Sequence, residues 1–160
     1  MNAMSIQSKF KSLTDDELID WVVSRIEQED WQDDLTPLNE EERDFIRCLR
    51  FQILFGNGGL QRFFEVDGFG IATADSLDRI DQPIFANAIR EMFRNYPAVP
   101  GCPYSIDLDR YLEAPDDDIE KREETLWEHF EELIPSIARM VRRYAECFKH
   151  LESINPYIPY

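Results

Sequence analysis

No apolar run in this sequence approaches the roughly 20 residues that span a bilayer. Residues 1–11 also lack the apolar block a signal peptide needs. Both absences lead us to expect a cytoplasmic chain with no membrane partner. Cysteine is scarce: Cys48, Cys102 and Cys147 are odd in number, far apart and without a CxxC pair, so no zinc or redox motif is present. Histidine is scarcer. Neither His129 nor His150 lies three residues after a glutamate, as a ferritin-like dimetal helix requires. Positive charge is also short, with 17 Lys and Arg against 33 Asp and Glu and a net charge of −16. Such a balance disfavours direct binding to nucleic acid or anionic membrane and steers cationic partners inward.

What is present is enough for a packed core. The 160 residues are 43% hydrophobic and 12% aromatic, with eleven Phe, six Tyr and three Trp. That length fits one domain, residues 1–160, and argues against global disorder. The charge is segregated. Residues 15–44 hold thirteen acids and two bases, residues 107–132 twelve acids and three bases, and the remainder is net positive.

Helical signals dominate. Thr14 followed by Glu17 has capping-box spacing, and Leu18, Trp21, Val22 and Ile26 fall on one face, predicting a helix over 15–29. Thr36 or Asn39 is the next cap, with Pro37 suited to a first helical turn. Phe45, Ile46, Leu49 and Ile53 then make a stripe through Phe55 that the following glycines end. A short helix over 60–66, a turn over 75–80 and a helix capped by Asp81 follow. The last carries Ile84, Phe85, Ala88, Ile89, Met92 and Phe93. Pro97, Pro100 and Pro103 mark a loop. From Trp127 through Phe130, Ile134, Ile137, Val141, Tyr144 and Phe148 to Leu151, one apolar stripe runs past Pro135, predicting a long helix kinked or broken beside Ile134. It reads as a core-facing bundle helix, with a dimerising coiled coil as the alternative. The expected fold is all-α: a single-domain multi-helix bundle with a long, Pro-kinked C-terminal helix.

The most distinctive pattern lies just upstream. Asp116, Glu120, Glu124, Glu128 and Glu132 recur at an unbroken spacing of four, which on a helix stacks carboxylates roughly 6 Å apart in one row. Like charges so placed cost about 0.2–0.5 kcal/mol per pair in an isolated helix. Such a row is either solvated surface that favours solubility or a surface in use. Above Trp127 the stripe positions become Glu123 and Glu120, so the first turns of this helix are expected to project into solvent. Lys121 and Arg122 follow Asp117 and Asp118 by four residues, a pairing that leaves the row negative.

Motifs for chemistry are missing. Asp107 and Asp109 begin like a calcium loop, but Arg110 and Tyr111 stand where oxygen ligands and the turn glycine belong. Gly56-Asn57-Gly58-Gly59 lacks the Lys and Ser or Thr of a P-loop and the spacing of a dinucleotide fingerprint. A turn with positive φ accounts for it. The serines form no nucleophile elbow. No cofactor or metal is implied. Carboxylate pairs are too abundant for one to be singled out, which leaves an enzyme with two acids in a cleft as an alternative.

Phe55-Gly56-Asn57-Gly58-Gly59-Leu60-Gln61-Arg62-Phe63-Phe64 resembles the signature of a bacterial family of small acidic helical proteins, typified by a dimeric DNA mimic. Its pattern is a helix end, Asn-Gly-Gly, an apolar residue, any residue or Gln, and an aromatic pair. Leu60 replaces a frequent Phe, and Arg62 separates Gln61 from the aromatics. The resemblance covers about 40–150. It implies an architectural role for the motif: Asn57, Gly58 and Gly59 shape the turn, Gln61 hydrogen-bonds across it, and Phe63 and Phe64 pack inward. It further implies a homodimer that blocks a basic DNA-binding protein such as a helix-turn-helix regulator; the alternative that the same acidic surface would serve is an immunity or antitoxin-like inhibitor of a basic nuclease. The expected contact acids are Asp116, Asp117, Glu120, Glu124, Glu128, Glu131 and Glu132, with a second patch at Asp16, Asp20, Glu27 and Asp30.

Overall fold

The computed structural model describes residues 4–26, 35–66, 70–98 and 106–155, without the side chain of Asp116. Helix α1 (Ile6–Ser12) opens under Ser5, whose hydroxyl accepts from the Ser8 N–H at 3.2 Å, and it buries Ile6 and Phe10. The sequence reading does not anticipate it, because seven residues hold too little of a helical period. Helix α2 (Asp15–Ile26) begins at the expected capping box. Thr14 N–H donates to Glu17 Oε2 at 2.8 Å, and Thr14 Oγ1 accepts from Glu17 N–H at 3.2 Å. A second box starts α3 (Glu40–Val66): Asn39 Oδ1 accepts from Glu42 N–H at 2.8 Å, while Asn39 N–H donates to Glu42 Oε1 at 3.2 Å. Asn39 is therefore the cap, and Thr36 and Pro37 stay in the preceding turn.

The glycines end the first stretch of α3 as expected: Gly58 and Gly59 leave helical geometry, and the expected short helical stretch resumes at once over 60–66. Gly59 has φ +68, a conformation that costs an L side chain energy and costs glycine little. Phe63 and Phe64 are buried as expected, but Gln61 donates to Glu65 Oε1 at 2.8 Å on the exposed face, not across the turn.

Helices α4 (Ile71–Arg79) and α5 (Pro83–Asn95) pack against each other, and α4 packs on α3. The residue before α5 is Gln82, with Pro83 in the first turn. Asp81 precedes it with φ +61 and is not the cap. Asp107 caps the short α6 (Leu108–Leu112), accepting from Arg110 N–H at 3.2 Å. The one extended pairing among the described residues is a bridge between Pro97 and Ile106.

The C-terminal helix is jointed. Helix α7 (Asp116–His129) passes through a 3-10 turn at Phe130–Glu132 into α8 (Leu133–Arg143), and a 3-10 segment (Ala145–Ser153) follows. Pro135 has no N–H for the carbonyl of Glu131, so α-helical bonding fails there and the chain tightens. The joint thus falls a turn before Ile134, leaving Pro135 in the first turn of α8, where a missing donor is harmless. Helix α8 buries Leu133, Ile137, Ala138, Met140 and Val141 against α2 and α3.

At the centre, Phe51, Phe55, Phe63 and Phe85 are fully buried, with Phe51 at 4.9 Å from Phe63 and 5.5 Å from Phe85. Burying each ring contributes about 1.5–3 kcal/mol. Polar ties cross this core. Arg79 grips the buried Asp44 through Nε and Nη2, and Ser76 Oγ donates to the same carboxylate at 2.7 Å. Arg142 on α8 donates to the carbonyls of Phe10 and Leu13 at 3.2 and 2.9 Å and pairs with Asp15, clamping the joint between α1 and α2. Among the described residues, no helix is long and apolar enough to cross a membrane.

Candidate functional site

Ile119, Glu123 and Leu126 lie on one side of α7 and tie it to the core. Leu126 is buried, and Ile119 packs against the core cluster. Between them Glu123 reaches back to the glycine motif, where its Oε1 accepts from the Leu60 N–H at 2.9 Å. A Cβ on Gly59 would stand 2.3 Å from Glu123 Oε2. Gly59 therefore does two things: it takes the positive φ, and it clears the space in which a carboxylate meets the first free N–H of the resumed helix. A negative group at a helix N-terminus satisfies an unpaired donor and the helix dipole together. The expectation that the first turns of α7 project freely into solvent is corrected by this contact. Arg122 also departs from expectation, lying 5.9 and 5.7 Å from the ring centres of Tyr96 and Tyr111.

With Glu123 turned inward, the row is left outside. Glu120, Glu124, Glu128 and Glu132 are exposed, as are Asp117 and Glu131. Glu120, Glu124, Glu128, Glu131 and Asp117 have no side-chain hydrogen bond or ion pair among the described residues. Glu132 sits 3.2 Å from His129 Nδ1. Asp117 has a local role as well, since an acid in a first turn complements the helix dipole. Asp116 begins the helix, and its side chain is outside the described set. None of the clefts formed by Arg79 and Arg139, by Val23 and Ile53, or by Glu40 and Asp44 is lined by a ladder acid.

Trp127 sits among these acids. Its ring centre lies 4.6 Å from that of Phe55, yet the residue is 41% exposed. One face belongs to the core and the other to the surface. Sequence periodicity placed it wholly in the core stripe, because a periodic pattern marks direction and not depth.

The second acidic stretch is partly committed to structure. Asp15 pairs with Arg142, and Glu17 completes its capping box. Asp16 and Asp20 remain exposed on α2, while Glu27 and Asp30 lie outside the described residues. Helix α2 packs on α8 and the C-terminal 3-10 segment. Among the described residues it does not form a packed pair with α7.

Burial perturbs few titratable groups near this face. It lifts the Tyr111 phenol from 10 to about 12, with the Glu123 charge adding to the effect. Burial also raises the thiols of Cys48 and Cys147, the latter helped by Glu41. Both thiols stay protonated at neutral pH, which makes them weak nucleophiles.

The model of the DMP19-like protein family matches residues 36–158, the greater part of the chain. The protein belongs to the DMP19-like family. The matched span runs from the turn before α3 to beyond the last 3-10 segment, so it contains the glycine motif, the contact between Glu123 and Leu60, and the whole acidic face of α7. No curated protein and no solved structure matches the chain.

Proposed function

We propose that this DMP19-like protein is a non-catalytic DNA mimic, acting as a homodimer, that covers the DNA-binding surface of a basic DNA-binding protein and blocks its access to DNA. The observation that carries the reading is the uncommitted row Glu120, Glu124 and Glu128 on a helix whose other side is tied to the core. Besides Glu123, eight acids fall between residues 116 and 132, a helical length of roughly 25 Å. That is one acid per about 3 Å, close to the charge spacing of about 3.4 Å along one DNA strand. A helix-turn-helix regulator presents Lys and Arg placed for such spacing. Trp127 adds an apolar anchor inside the charged face, of the kind that dominates protein interfaces. Family membership supports the same reading, since the family is typified by a DNA mimic.

The experiment is affinity capture from the native host with the parent chain and with Glu124→Lys/Glu128→Lys. The reading expects a basic DNA-binding protein on the parent, released by salt and retained poorly by the variant. Recovery of no DNA-binding or nuclease partner, with capture unchanged by the double reversal, would reject it.

A further inference from the structure

In a cleft that no ladder acid lines, three arginines converge. The cleft, of about 220 Å³, lies between the end of α4 and α8, and Arg79, Arg139, Arg143, Ser136, Asp81 and Tyr144 contribute its polar groups. Convergence of guanidinium groups is unexpected in a chain with 17 bases against 33 acids. Arg139 and Arg143 stand four apart on one helix, which sets their stems about 6 Å apart. Both are exposed, and neither makes a hydrogen bond or ion pair among the described residues. Arg79 uses Nε and Nη2 on Asp44, which fixes its plane and leaves Nη1 over. Ser136 is only 4% exposed, and its Oγ accepts from Gln82 Nε2 at 2.7 Å. The serine's own proton is then available toward the cleft.

We propose that this cleft binds a small phosphate group, either free phosphate or a phosphate monoester. Three considerations select that chemistry. Guanidinium forks match the oxygens of phosphate in bidentate geometry. Asp44 compensates Arg79, and Asp81 offsets part of the charge of Arg139 and Arg143, so the cleft stays net positive. A phosphate has oxygens enough for both free guanidinium forks, whereas a carboxylate fills one. The volume is below the roughly 300–1,000 Å³ of ordinary ligand sites, which restricts the occupant to a small molecule. A polyanion is excluded by the neighbouring wall: the adjoining cleft shares Arg79, Met140 and Tyr144 but is otherwise lined by Glu40, Glu41 and Asp44. Past Arg79 the adjoining cleft is therefore lined by acids and gives no basic track for nucleic acid.

The test is an NMR titration of the arginine Nε–H resonances of the full chain with inorganic phosphate, glycerol 2-phosphate and acetate. Saturable shifts at Arg139 and Arg143 with the phosphates, and none with acetate, are expected. Preference for glycerol 2-phosphate identifies a monoester site, and preference for inorganic phosphate a free-anion site. Arg139→Gln/Arg143→Gln is expected to lose at least about tenfold in affinity. Arg139→Lys, which keeps the charge and the fold but loses the fork, is expected to weaken binding as well. Glu124→Lys/Glu128→Lys is expected to leave the phosphate shifts unchanged, separating this site from the acidic face. Shifts that never saturate, acetate binding equal to phosphate, or full affinity in the arginine variants would overturn the proposal.

Discussion

At the scale of single residues, the contact between Glu123 and the glycine motif is the feature on which the acidic face depends. Gly59→Ala places a Cβ at positive φ, a strain of about 1–3 kcal/mol, and pushes against the Glu123 carboxylate. Glu123→Ala leaves the Leu60 N–H without its acceptor, at a cost of about 1–3 kcal/mol. Because both changes act on one contact, the double variant is expected to cost less than the two together. Urea unfolding of the four proteins checks this, and strict additivity would show that the two substitutions do not act through one contact. Tyr111 supplies a pH signature. Its folded-state pKa of about 12 lies above the ordinary 10, so its contribution to stability is complete below pH 10 and is lost as pH rises through 12. Phenolate absorbance should show one tyrosine ionising late. Tyr111→Phe should remove both that late step and its share of the alkaline loss of stability.

At the scale of elements, caps and breaks decide how the helices begin and end. Asn39→Ala should destabilise more than Thr14→Ala. Each removes a capping side chain, a loss of about 1 kcal/mol, but Asn39 Nδ2 also donates to the Cys147 carbonyl at 2.8 Å. Thermal unfolding of the two variants would show equal losses if that long-range bond contributed nothing. These caps were the most legible part of the fold, because capping is local chemistry written in residues three apart. The all-α class, the α2 and α5 faces and the breaking effect of Pro135 were legible for the same reason. Other features were not. The glycine break and the short helix over 60–66 were readable, but a local signal cannot reveal that Glu123, more than sixty residues away, accepts from the first free N–H of that helix. Asp81 read as a cap from its type, whereas its positive φ displaces that role to Gln82. Glu123 read as a continuation of the exposed acids for want of an apolar side chain. Its anchoring role depends on a tertiary donor that no periodicity encodes.

At the scale of the whole molecule, the charge of −16 is divided between acids that serve the fold and acids that do not. Asp15, Glu17, Glu42, Asp44 and Glu123 each hold a helix end, pair with an arginine or cap a backbone N–H. Glu120, Glu124 and Glu128 hold nothing within the described residues. Glu124→Lys/Glu128→Lys should therefore leave the unfolding midpoint nearly unchanged, since exposed substitutions of this kind fall within about 0.5 kcal/mol. Binding should respond far more strongly, with affinity falling steeply as salt rises because the contact is one of paired charges. The most direct measurement is a competition titration, in which duplex DNA is added to the complex between this protein and its captured partner. The account predicts mutual exclusion: the apparent dissociation constant for the protein rises in proportion to the DNA present, and no species contains all three. A stable ternary complex of protein, partner and DNA would contradict it.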